Sequence, residues 1–153
     1  MVAIRTKVTL RRRGNLANHI AKIEKGVAGP TAVKVGFPAG KADADVVSIA
    51  IWNHFGTSRG IPARPFITIA MFKNRREYRA ALRKIAKATV ENGTPLVAQL
   101  PKLGALGAGK IQDQIAANTP PPNAASTVLR KGSSRTLIDT GRMRQSVTWE
   151  VDK

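Results

Sequence analysis

The residues best suited to chemistry lie near the end of the chain, at Leu137-Ile138-Asp139-Thr140-Gly141. Asp-Thr-Gly after apolar residues is the setting in which two carboxylates share one proton. The triplet occurs once, so a dimer would have to bring the second carboxylate. Proteases built on this triplet place it early, with most of their fold behind it. Here 12 residues follow Gly141, and Arg142 stands where a small residue is usual. The plainer reading is local: Asp139 or Thr140 accepts a backbone hydrogen bond and caps a short turn, and Gly141 relaxes the backbone. Gly107-Ala108-Gly109-Lys110 is only a fragment of a phosphate loop, because Ile111 replaces the Ser or Thr and the upstream glycine spacing is wrong. No nucleophile elbow, zinc-finger spacing or ribonucleoprotein aromatic motif is present. With no cysteine, two histidines (His19 and His54) and nine acidic residues, a metal site would lack ligands. The sequence predicts no enzyme, no cofactor and no metal.

Charge carries the stronger signal. Twenty-six Lys and Arg stand against nine Asp and Glu, for a formal net charge of +17. The excess is spread out: net +6 over residues 1–45, +7 over 46–100 and +4 over 101–153. A basic surface of this kind attracts nucleic acid, an acidic partner or an anionic membrane. Arg76, Arg79, Arg83 and Lys87 fall on one face of a predicted helix and could track a phosphate backbone; a solvated face is the plainer alternative. No apolar run is long enough to span a membrane, and the basic N-terminus has no apolar stretch behind it to read as a secretory signal.

The elements that must position these residues are legible in outline. The length of 153 residues suits one domain with a real core. Residues 1–14 alternate weakly and read as a short strand or an extended arm. Asn15 caps a helix presenting Leu16, Ile20 and Ile23 and ending near Gly26. Val33, Val35 and Phe37 have the period of a half-buried strand. Asp43 or Asp45 caps a helix through Val46, Val47, Ala50, Ile51 and His54, with Gly56 as a left-handed cap. A loop with two prolines follows. The longest helix is predicted from about Thr68 to Asn92, with Met71, Tyr78, Leu82, Ile85 and Thr89 on one face. Residues 93–109 are loose in composition, and a shorter helix is predicted over 105–117. Residues 118–136, opening on Thr119-Pro120-Pro121-Pro122, read as an exposed loop or hairpin. Val147, Trp149 and Val151 close the chain as a strand.

Three stretches together resemble one family. Ala50-Ile51-Trp52-Asn53-His54-Phe55-Gly56-Thr57 is similar to an apolar helix ending in Phe-Gly-Thr. Ile61-Pro62-Ala63-Arg64-Pro65-Phe66 resembles the Pro-Ala-Arg-Pro-Phe element that follows it. Leu137-Ile138-Asp139-Thr140-Gly141-Arg142-Met143 with Ser146-Val147 looks like the closing Leu-x-Asp-Thr-Gly-x-Leu…Ser motif. In this order, over roughly residues 30–151, they resemble the virion-morphogenesis proteins of tailed bacteriophages, the tail-completion or neck group. The matching positions are Phe55, Gly56, Thr57, Pro62, Arg64, Pro65, Phe66, Asp139, Thr140 and Gly141. The family often has Glu where Asn53 stands, which puts any contact of that acid in doubt here. The resemblance implies an α+β fold, with a small mixed or mostly antiparallel sheet packed around a long central helix and shorter helices. It also implies a homo-oligomeric ring, usually of six copies, in the virion neck or proximal tail, made in the host cytoplasm. Such a ring adjoins head-closure or connector proteins and tail-terminator or tail-tube proteins, and DNA passes through it. The positive charge suits non-specific contact with that DNA. Arg64, between two prolines, is suited to a rigid structural or interface salt bridge, with a buried scaffold role favoured over ligand binding. A tail-terminator ring is a close variant. A free basic nucleic-acid-binding protein is the alternative that the charge alone supports.

Overall fold

The computed structural model describes residues 15–152, so the arm expected over 1–14 lies outside the described residues. The order of elements is α1 (Leu16–Val27), β1 (Val33–Gly36), α2 (Ala44–Phe55), α3 (Phe66–Lys73), α4 (Arg75–Asn92), α5 (Leu96–Ala116), α6 (Ala125–Lys131), α7 (Arg142–Gln145) and β2 (Thr148–Val151). This is the expected α+β class, with a small antiparallel sheet and helices around one long central helix.

The central helix is α5, not the one predicted over 68–92. That predicted helix is two helices broken at Asn74, whose φ of −98° and ψ of 12° leave the regular helical region. The cause is local competition for the backbone. The Asn74 side chain donates to the Ala70 carbonyl at 2.8 Å, while its own carbonyl accepts from Glu77 N and Tyr78 N at 3.0 and 3.1 Å. One residue therefore ends α3 and starts α4.

In the stretch expected to be loose before a helix over 105–117, α5 already runs from Leu96 and takes Pro101 into its interior. An interior proline typically costs a helix about 3 kcal/mol. Burial of Leu100, Ala108, Ile111 and Ile115 opposes that cost, at about 1.5–3 kcal/mol for each large aliphatic side chain taken from water. The glycines that made the segment look loose are packing notches. A Cβ at Gly104 would stand 2.6 Å from the Trp149 ring, and one at Gly107 would stand 3.1 Å from Val35. Val35 and Trp149 are direct partners in the β1–β2 register, so they share the face of the ribbon that lies on α5.

One further expectation is corrected. Residues 118–136 hold α6 and no strand, and Thr119 within them is 1% exposed. Leu16 and Ile20, on the one apolar face of α1, are exposed, while Gly26 is its buried residue and meets Thr89 of α4. The Asn15 cap is present, its Oδ1 accepting from Ala17 N at 3.1 Å. The core joins α2, α3, α5 and the closing segment through Val46, Ala50, Phe66, Ile111, Leu137 and Met143.

Candidate functional site

The segments that carry the three motifs meet at one open groove of about 390 Å³, lined by Asn53, Pro62, Arg64, Asp139, Thr140 and Gly141 among others. The end of α2 sets its geometry. Gly56 has φ +76° but an extended ψ of −180°, so it is not the left-handed cap expected. A Cβ at Gly56 would stand 2.9 Å from Ala63 N and from Ile61 O, which means the following loop folds back against it. Thr57 N donates to Ile61 O at 2.9 Å, Ile61 N donates to Thr57 Oγ1 at 3.3 Å, and Arg64 N donates to Asn53 O at 2.7 Å. These bonds fix the Arg64 backbone beside α2.

The Arg64 side chain is 3% exposed. Nε donates to Pro121 O at 2.7 Å, Nη2 to Pro122 O at 3.1 Å and to Asn123 Oδ1 at 3.3 Å, and Nη1 to Asn53 Oδ1 at 3.4 Å. Arg64 is thus buried and hydrogen-bonded within its own chain, and the salt bridge expected of it is absent among the described residues. The ion pairs among the described residues are Lys34–Asp152, Lys87–Glu91, Lys110–Glu77 and Arg142–Asp43. Neutral oxygens cradle the guanidinium instead, and burial lowers its pKa from the ordinary arginine value. Asn53 stands at the position where an acid would face this cation.

The Asp-Thr-Gly segment forms a turn. Asp139 and Thr140 are exposed, Gly141 has φ +82°, and Thr140 Oγ1 accepts from Arg142 N at a long 3.5 Å. Arg142 donates to Asp43 Oδ2 at 2.7 Å. Asp43 thus occupies the cap position of α2 without a side-chain cap bond. Asp139 is the one carboxylate lining the groove.

The remaining motif residues lie elsewhere. Phe66 is fully buried in the core, Pro65 is exposed, and Phe55 is 73% exposed on the outside of α2. With Ile51 and Trp52, each about half exposed, Phe55 makes an apolar stripe at helical spacing. The 13 residues from Val46 to Ser58 contain no Lys, Arg, Asp or Glu. His54 is half-buried, with Nε2 3.4 Å from Thr68 Oγ1 and no partner for Nδ1, and burial lowers its pKa. On α4, Arg76, Arg79 and Arg83 are exposed and make no ion pair among the described residues, while Lys87 lies 3.9 Å from Glu91. The sequence reading missed Asn123, Arg130, Lys131 and Thr136 as groove residues. They sit in the segment taken for a loop, where no periodicity marked them.

Among the described residues, no group of three or more His, Cys, Asp or Glu is placed to hold a metal ion, and no helix is long and apolar enough to cross a membrane. Compared with protein-family models, curated proteins and solved structures, the chain matches none.

Proposed function

We propose that this protein is a virion structural subunit of the phage neck, assembling into a ring of six copies that joins the head connector to the tail and lets DNA pass. A tail-terminator ring is the close variant. The observation that carries the reading is the uncharged, water-exposed stripe of Ile51, Trp52 and Phe55 on α2. On a chain of formal charge +17, copies repel unless they meet where cations are missing. Buried aromatic anchors typically dominate such contacts. The ordered sequence motifs support the neck in particular, and their meeting at one groove agrees with a shared structural purpose.

Sedimentation of the full chain over a range of concentrations, with electron microscopy of virions that contain it, tests the proposal. The chain forms closed rings, and Trp52→Asp with Phe55→Asp yields a monomer of unchanged helical content. A chain that stays monomeric, together with virions lacking a ring between head and tail, overturns the reading.

A further inference from the structure

The groove contains two polar groups whose needs the fold leaves unmet. Arg64 is buried with no carboxylate against it among the described residues. Its four hydrogen bonds go to neutral oxygens and leave one Nη1–H donor of five unused. Thr136 is 6% exposed, and its Oγ1 has no partner. Its backbone N–H is satisfied by Asn118 Oδ1 at 2.9 Å. Both residues line the same groove. A buried cation without a counter-charge and a buried hydroxyl without a partner both oppose folding, and both are satisfied by an incoming acceptor.

The rest of the lining says what that acceptor is attached to. Arg130 and Lys131, in the last turn of α6, outweigh the single carboxylate of Asp139 and make the groove cationic. Lys131 Nζ donates to Arg135 O at 2.9 Å, and Arg142 is already held by Asp43, so Arg130 is the groove cation without a side-chain partner among the described residues. Ile49, Ile61, Pro62 and Leu137 supply apolar wall. An apolar wall under a cationic mouth suits a peptide that alternates acidic and apolar side chains. A duplex presents its phosphates on a wide, stiff cylinder and offers nothing to the apolar residues. A second copy is a poor source, because it has only nine acids, and Asp43, Glu77, Glu91 and Asp152 are engaged in ion pairs.

We infer that this groove docks an acidic, apolar-flanked peptide segment of another protein. A carboxylate of that segment accepts from the free Nη1–H of Arg64, and a carboxylate or backbone carbonyl accepts from the Thr136 hydroxyl. The inference stands on the groove and does not need the ring; a monomeric chain would leave it intact.

The test uses the full chain and a fluorescein-labelled peptide of about ten residues repeating Ser-Leu-Glu, with a Ser-Leu-Gln peptide and a short DNA duplex as comparisons. By fluorescence anisotropy the Glu peptide binds at least about 10-fold more tightly than the Gln peptide. Thr136→Val weakens it about 3- to 10-fold while leaving the melting temperature unchanged or higher, because an unpartnered hydroxyl has been removed. Arg130→Ala also weakens it, whereas Arg76→Ala, Arg79→Ala and Arg83→Ala together change it less than about twofold, being outside the groove. The Arg64 Nε–H resonance moves when the peptide is added. Four results overturn the inference: no binding at millimolar peptide, equal binding of the Gln peptide, equal loss from the α4 variant, or loss of neither affinity in Thr136→Val nor the original Arg64 resonance position. Displacement of the peptide by duplex DNA that depends on Arg130 also overturns it, in favour of a phosphate site.

Discussion

At the scale of single residues, Arg64 and Asn53 make a buried contact in which a cation meets a neutral oxygen. The guanidinium is placed by backbone bonds and held by four neutral acceptors, the longest being the 3.4 Å contact to Asn53. A carboxylate at position 53 converts that contact into a charge-assisted bond, worth about 1.5–3 kcal/mol. Two effects oppose it: a negative charge in the last turn of α2, at about 0.3–1 kcal/mol, and loss of the Asn53 Nδ2 donation to Ile49 O at 2.9 Å, at about 0.5–1.5 kcal/mol. The first effect is larger than their sum, so Asn53→Asp stabilises the protein by about 0.5 kcal/mol at pH 7. Arg64 holds the new carboxyl below its unfolded pKa of about 4, so the gain is present above that pH and is lost as the pH falls through the lower folded value. Thermal melts at pH 7 and at pH 3 check both signs; a lower melting temperature at pH 7 would show that the helix dipole and the lost Ile49 bond together win. His54 gives a second pH dependence from the opposite kind of shift. Burial lowers its folded pKa, with Phe55 and Phe66 edge-on at 4.6 and 5.3 Å. The unfolded chain therefore binds this proton first, and stability from the neutral ring, complete above about pH 6.5, is lost as the pH falls towards the folded value. Melting temperatures between pH 7.5 and 5.5 fall less steeply in His54→Gln than in the natural chain; parallel curves would remove His54 from the account.

At the scale of elements, the glycines of α5 separate packing from flexibility. Gly104 and Gly107 admit Trp149 and Val35, whereas a Cβ at Gly109 would meet nothing within 4 Å. Gly104→Ala is therefore an overpacking change that costs about 1–3 kcal/mol. Gly109→Ala only improves helix propensity and gains about 0.5–1 kcal/mol. Urea denaturation of the two variants measures the contrast, and equal effects would mean the helix–ribbon contact is loose. The same glycines explain what the sequence concealed. Strands β1 and β2 were legible because period-two alternation is local, and α2 because its cap, apolar run and terminal glycine agree. The extent of α5 was not, since glycine and proline count against a helix unless one knows that a tryptophan 45 positions away from Gly104 fills the notch. The break at Asn74 was hidden for the converse reason: apolar spacing continued on both sides of it. The groove was half legible. Pro62, Arg64 and Asp139 to Gly141 were marked by motif, but their convergence with Thr136 and α6 is a tertiary fact.

At the scale of the molecule, charge is arranged rather than merely abundant. The uncharged α2 stripe contrasts with α4, where Arg76, Arg79, Arg83 and Lys87 follow one another at helical spacing. From Arg76 to Lys87 that row covers about 16 Å of helix axis, enough to meet several phosphates of one strand. Among the described residues Arg76, Arg79 and Arg83 make no ion pair to release before they bind, whereas Lys87 lies 3.9 Å from Glu91. Each phosphate neutralised releases counterions and adds about 0.9 to the slope of log affinity against log salt. Replacing Arg76, Arg79 and Arg83 by Gln therefore lowers that slope by about 2–3 for a duplex of mixed sequence, with similar losses on unrelated sequences because phosphates carry no base information. Measurement between 50 and 200 mM salt, a range chosen because the loss of affinity is then large, reads the slope directly. A slope unchanged in the triple variant places DNA on another face, and unshifted DNA at low salt over micromolar protein removes DNA contact altogether. A reduced slope makes α4 the surface along which DNA runs, and in a ring of copies joined through α2 it would assign that helix to the lumen.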